Sequence, residues 1–187
     1  MRRRHFGPGA RHPAMSPLEI KSLIVDVPDF PKPGIVFKDI TPVLASPAAF
    51  KSATLLLAEH GAALRCDAVL AIESRGFILG APLAQHLGLP LQLVRKRGKL
   101  PRAALTVSYE LEYGIDHLEV HADALAKGGR YLIVDDVIAT GGTAAAVASL
   151  VAQQGATVAS CLFLVELTFL AGRAKLSGLD VFSLISY

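Results

Sequence analysis

Cysteine is scarce in this chain: Cys66 and Cys161 are the only two among 187 residues. Two cysteines so far apart make neither a disulfide framework nor a metal-ligand spacing. A reducing compartment, most simply the cytoplasm, is therefore expected. Charge is thin as well, at 19% of residues against 52% apolar, which excludes a disordered chain. No apolar run of the signal-peptide kind opens the sequence. Residues 137–165 carry no charge at all, long enough to span a bilayer. Gly141, Gly142, Gln153, Gln154 and Gly155 interrupt that stretch, so it reads as loop, helix, turn and buried strand, with no membrane partner.

A shortage of acid at one end explains the overall charge. Residues 1–14, "MRRRHFGPGARHPA", hold Arg2, Arg3, Arg4 and Arg11 and no carboxylate. Without them the chain has 15 basic and 16 acidic residues, a net of −1. The pI near 9.0 therefore belongs to the arm and gives no argument for nucleic acid. The arm is expected to be disordered. A basic targeting arm and upstream sequence before a start at Met15 are both open. Residues 15–187 show no repeat and no linker, and are expected to form one domain.

What is present is an alternation of apolar strands and helices. A short helix is expected within residues 17–25. "PDFPKPGIVFKD" is proline-punctuated and extended, with Gly34 as a turn. "SPAAFKSATLLLAEHGAALR" is an amphipathic helix that Ser46 can cap and Pro47 can begin. "AVLAIE" (68–73) is a buried strand, "SRGFILGAPLAQHLGL" a helix closed by Gly88, and "PLQLVRK" a strand. "LTVSYELEYG" (105–114) alternates and suits an exposed ribbon. "RYLIVDD", residues 142–154 and "TVASCLFLVEL" continue as strand, helix and strand. The pattern predicts an α/β fold with a parallel sheet covered on both faces. Such sheets bind ligands at the C-terminal ends of their strands.

One such end carries the chemistry. In "YLIVDDVIATGGTAAA" (131–146) an apolar strand runs into Asp135 and Asp136, then into Ala139, Thr140, Gly141, Gly142 and Thr143, then into a helix. Unpaired N–H groups at a helix start, two glycines and two hydroxyls make a phosphate cradle. A Gly-Lys-Ser/Thr ending is missing, so this is no triphosphate loop, and G-x-G-x-x-G is missing too. Carboxylates beside a phosphate site make sense if the ligand also offers a vicinal diol. They can also help to hold a divalent cation. A pentose 5-phosphate fits both halves. An exposed Asp-Asp turn that merely caps a helix is the plain alternative.

At these residues the chain resembles the type I phosphoribosyltransferases, which use phosphoribosyl pyrophosphate (PRPP). "DFPKPGIVFKDITPVL" (29–44), "ESRGFILGAPLA" (73–84), "RKRGKLP" (95–101), "SYELEYG" (108–114) and "LVELT" (164–168) extend the resemblance, in order, to the adenine-using branch. Glu73 replaces a frequent Asp, Lys38 a common Arg, and "RAA" at 102–104 departs at the tip of a loop.

The resemblance implies a Rossmann-like sheet with a small hood from the N-terminal segment and a flexible β-ribbon lid over 105–121. It implies adenine and PRPP as substrates, AMP and pyrophosphate as products, Mg2+ held mainly through PRPP rather than by protein ligands, and a homodimer. Arg75 and the basic run of Arg95, Lys96 and Lys99 would hold pyrophosphate, although a basic run is more often a solvated face. Part of that run would reach a neighbouring subunit's site. Glu112 would be catalytic, and Tyr113 would belong to the lid and the PRPP site. Glu110 and Glu112 share one face of an extended strand, so an ordinary polar edge is the alternative. Val36, Phe37, Lys38 and Leu167 would receive adenine, with Leu167 equally explicable as core. A non-proline cis peptide is implied at Glu73–Ser74. Two rivals remain: a 6-oxopurine phosphoribosyltransferase, and a PRPP-sensing DNA-binding regulator. Only about 30 residues precede the core motifs, too few for a DNA-reading module. His60 and His86 sit near helix C-termini, where the dipole accounts for them.

Overall fold

The computed structural model describes residues 14–111 and 114–187. The chain divides into two compact units, Met1–Ala53 and Thr54–Tyr187.

The first unit begins with α1 (Pro17–Lys21), closed at its start by a reciprocal capping box between Ser16 and Glu19. The hairpin β1 (Val25–Pro28) and β2 (Val36–Asp39) follows, antiparallel, with Asp26 opposite Lys38 and Pro28 opposite Val36. Its connection is held by Asp29, whose Oδ1 accepts from the Gly34 N–H at 2.8 Å. The proline-rich segment thus builds a hairpin rather than a bare extended stretch. Helix α2 (Thr41–Ala45) leads to α3 (Pro47–Ala62), where the Ser46 hydroxyl accepts from the Ala49 N–H at 3.3 Å. The unit boundary falls inside α3.

The second unit is a seven-stranded sheet in the order β5-β6-β4-β3-β7-β8-β9. Its strands are β3 (Ala68–Ile72), β4 (Leu91–Lys96), β5 (Ala104–Leu111), β6 (Gly114–His121), β7 (Arg130–Ile138), β8 (Thr157–Glu166) and β9 (Val181–Ser186). Five of them, from β4 to β9 along the sheet, are parallel neighbours. β6 is antiparallel to β4 and β5 to β6. The crossover helices are α4 (Arg75–Leu87), stopped by Gly88 in the left-handed region, and α5 (Gly142–Gln153). β3, β7 and most of β8 are buried, as their unbroken apolar runs require.

The ribbon of β5 and β6 is a corrected expectation. It alternates as read, but Val107, Leu118 and Val120 are buried in the main core. The ribbon is an integral edge of the sheet with one wet face. Strand β9 escaped the sequence reading; it pairs with β8 from Cys161 opposite Val181 to Glu166 opposite Ser186. Among the described residues no helix is long and apolar enough to cross a membrane.

Candidate active site

Chain order places the functional loops together. The sheet steps from β3 to β4 on one side and from β3 to β7 on the other. The ends of β3 and β7 therefore flank a topological switch point, where open α/β sheets bind ligands. Three loops leave neighbouring strand ends there: Glu73 to Arg75 after β3, the run beginning at Arg95 in β4, and Ala139 to Thr143 after β7. β5 ends and β6 begins beyond the last residue of β4, because Lys96 lies opposite Leu118.

The loop after β7 encloses a cavity of about 80 Å³ lined by Asp135, Val137, Ala139, Thr140, Gly141, Gly142 and Thr143 among others. Gly141 caps α5 with φ +75° and no side-chain cap. The first N–H groups of α5 therefore have neither an intrahelical carbonyl nor a capping oxygen to meet, as an anion site requires. A Cβ on Gly141 would lie on the carbonyl of Gly172, so both φ and space demand glycine here. Gly141→Ala is expected to raise the KM for PRPP by at least about tenfold, since a left-handed alanine costs ~1–2 kcal/mol and the loop must also shift. Steady-state kinetics beside a far-ultraviolet melting curve check this; an unchanged KM would remove the loop from PRPP binding.

Asp135 and Asp136 lie near the C-terminal end of β7, and their environments differ. Asp136 is only 4% exposed and is ion-paired with Arg75 from the start of α4. The structure thus joins a residue expected at the ribose hydroxyls with one expected at the pyrophosphate. Asp135 accepts from the Asp136 N–H at 2.8 Å. Burial first, then the neighbouring Asp136 charge, pushes the Asp135 carboxyl well above its ordinary range. Gly76 allows this crowding: a Cβ there would stand 2.7 Å from the Val134 carbonyl and 3.0 Å from the Asp135 carboxylate.

A raised folded-state pKa stabilises the fold below the unfolded pKa, and that contribution is lost as pH rises through the folded pKa. Charged Asp135 therefore burdens the unliganded protein at neutral pH. Asp135→Asn is expected to raise Tm at pH 7 by a few degrees, an advantage that shrinks toward pH ~4, while weakening PRPP binding. Melting curves at the two pH values test this, and a lower Tm at pH 7 would contradict the burden.

The Glu73–Ser74 peptide is cis. Ser74 stands at the N-cap of α4 without a side-chain cap bond. The Glu73 carboxylate receives Arg95 Nε and Nη2 at 3.2 Å each, and the Lys96 N–H at 3.0 Å. The Arg95 hydrogen bond holds Glu73 below the usual carboxylate range. Arg95 also donates to the Lys99 carbonyl at 3.0 Å. Lys96 Nζ lies 3.5 Å from Asp116, and the Gly98 N–H donates to Glu119 at 2.9 Å. Acids thus tie down Arg95 and the backbone of this loop, while Lys96, Arg97 and Lys99 are exposed. Glu73, Asp116 and Glu119 were not singled out as its anchors, because their partners are remote in sequence.

Glu112 and Tyr113 lie outside the described residues. In the first unit, Phe37 is half-buried and meets Phe30 edge to face, centroids 5.2 Å apart. Lys38 Nζ binds both oxygens of Asp26, at 2.7 and 2.8 Å. In the second unit, the half-buried Leu167 donates its N–H to the Ile138 carbonyl at 3.0 Å. That bond sets it beside the start of the phosphate loop. His60 has a partner the dipole argument missed: its Nε2 is 2.7 Å from Asp180.

Comparison with known proteins gives the same picture. The model of the phosphoribosyl transferase domain matches residues 41–180. An adenine phosphoribosyltransferase from Carboxydothermus hydrogenoformans is 54% identical over 91% of this chain and 100% of its own length. A crystal structure of the Thermoanaerobacter pseudethanolicus adenine phosphoribosyltransferase superposes with a TM-score of 0.89 at 52% identity, covering 92% of this chain and 100% of that one. The Saccharomyces cerevisiae enzyme, solved in complex with adenine and an imino-altritol bisphosphate, matches with a TM-score of 0.84 at 40% identity, over 90% of this chain and 97% of that one. With the cradle after β7 and the full length of these relatives covered, the chain belongs to the adenine phosphoribosyltransferases of the type I phosphoribosyltransferase family.

Proposed function

We propose that this chain performs the reaction of its family, adenine and PRPP giving AMP and pyrophosphate, with the sites assigned as follows. The single observation that carries the assignment is the loop of Ala139 to Thr143: a glycine-capped helix start facing a cavity at the sheet's switch point, beside the half-buried Asp135 and the buried Asp136. Its N–H groups and the Thr140 and Thr143 hydroxyls take the 5-phosphate. Asp135 and Asp136 accept from the ribose hydroxyls, which relieves the charge burden on Asp135.

Pyrophosphate is received by Arg75, Arg95, Lys96 and Lys99. Arg75 turns from Asp136 toward the ligand as the diol takes over that carboxylate. Mg2+ would be held mainly through PRPP. Asp136 is engaged by Arg75, and among the described residues no three His, Cys, Asp or Glu side chains gather into a cage. PRPP oxygens and water would supply most of its ligands, with Asp135 at hand, and the ion would neutralise the leaving pyrophosphate.

Adenine binds through the Val36 carbonyl, the Lys38 amide, the Phe37 ring and Leu167. Glu112 places a carboxylate near the sugar C1, where positive charge grows as pyrophosphate departs. The ribbon tip with Tyr113 excludes water from PRPP. A homodimer follows from the resemblance, and a cytoplasmic location from the sparse cysteines. Incubating the purified protein with PRPP and adenine, hypoxanthine or guanine tests the reading: AMP and pyrophosphate should form with adenine. Turnover of 6-oxopurines alone, or of none, would overturn it.

A further inference from the structure

The phosphate loop does not stand alone; a strap of chain following β8 packs against it. After Leu167 the backbone makes two 3-10 turns, Thr168–Leu170 and Gly172–Leu176, joined by Ala171 at φ +51°. Gly172 is buried. A Cβ added to it would lie on the Ala139 carbonyl and 3.0 Å from the Gly141 nitrogen. A Cβ added to Gly141 would lie on the Gly172 carbonyl. Strap and loop are therefore in backbone-to-backbone contact on both sides, with no side chain between them to absorb a shift.

The position of Gly172 is set by the residue after it. Arg173 donates Nε and Nη2 to the two oxygens of Glu166, at 2.7 Å each, and Nη1 to the Val181 carbonyl at 2.6 Å. Glu166 is the last residue of β8, is 6% exposed, and is held below the ordinary carboxylate range by this pair. One planar fork thus fastens the strap to two strands of the sheet. Lysine, a single point charge, cannot reproduce that geometry.

We infer that Arg173 is a positioning residue for PRPP: by clamping Gly172 beneath Gly141 it fixes where the N–H groups of the phosphate loop point. This rests on the reading of Ala139 to Thr143 as the phosphate cradle. Arg173 is remote from adenine's assigned edge at Val36–Lys38 in sequence and acts only through the loop, so its loss should act on one substrate.

The test compares Arg173→Met, Arg173→Lys, Gly141→Ala and the surface control Arg102→Met, whose ion pair with Asp123 is exposed on both sides. All are assayed well below their melting temperatures. Arg173→Met is expected to raise the KM for PRPP by roughly 10- to 10²-fold, the scale of a remote misplacement. The KM for adenine should change less than about threefold, with Arg173→Lys falling between Arg173→Met and native. If Arg173→Met does not fold, the Arg173→Lys split between the two KM values decides. An unchanged PRPP KM in both Arg173 variants, or equal changes for both substrates, would overturn the inference while leaving the cradle intact, provided Gly141→Ala still raises it. An unchanged PRPP KM in Gly141→Ala as well would show that the cradle reading itself had failed.

Discussion

Glu112→Ala is expected to lower kcat by roughly 10²–10⁴, the usual worth of a positioned acid or base, while PRPP affinity changes far less. Departure of pyrophosphate leaves positive charge on the sugar C1, and a carboxylate aimed there stabilises that charge only in the transition state. Uniform binding would instead have appeared in KM. Glu112 itself lies outside the described residues. β5 runs to Leu111 and β6 resumes at Gly114, opposite one another, and both extend beyond the end of β4, on the side where the three loops gather. Single-turnover kinetics with saturating PRPP, beside a PRPP titration, separate the two effects. Near-native turnover would remove Glu112 from the mechanism and leave Glu110, two residues back in the sequence, as the group to test.

The phosphate side of this site was legible in the chain because its information is local. A buried strand, two acids, a Gly-Gly pair and an alanine-rich helix follow one another in 131–146, and β7, loop and α5 form in that order. What was not legible depends on residues far apart. Arg75 meets Asp136 across 61 positions, and Arg95 meets Glu73 across 22; no spacing rule links such pairs. The strap was missed for another reason. "LTFLAGRAKL" has neither the period of a helix nor that of a strand, and the value of Gly172 lies in its approach to Gly141, which only the fold shows. The ribbon misled because alternation marks one wet face and leaves open what covers the other. Here that face carries Val107, Leu118 and Val120 into the core.

Adenine is expected to exceed hypoxanthine in kcat/KM by at least roughly 10²-fold, and the reason lies in the backbone of β2. Adenine presents a 6-amino donor and an N1 acceptor; hypoxanthine reverses both, with an O6 acceptor and an N1–H donor. In a strand the carbonyl of one residue and the N–H two residues on point to the same edge. Val36 and Lys38 can therefore offer an acceptor and a donor side by side. Against hypoxanthine the same edge would set acceptor against acceptor and donor against donor. Each buried group left unpaired costs ~1–3 kcal/mol, and a site built on hydrogen bonds can reach ~10⁴ in discrimination. Because backbone does the reading, Lys38→Ala should keep the preference; it removes the bonds to Asp26 and loosens the hairpin without changing the donor and acceptor order. Phe37→Ala should weaken both bases and leave their ratio similar, since stacking does not sense which edge donates. Competition assays with both bases on the native protein and the two variants measure this. Comparable kcat/KM for adenine and hypoxanthine in the native protein would refute the backbone reading, and a ratio that collapses in Lys38→Ala would move the discrimination to the side chain.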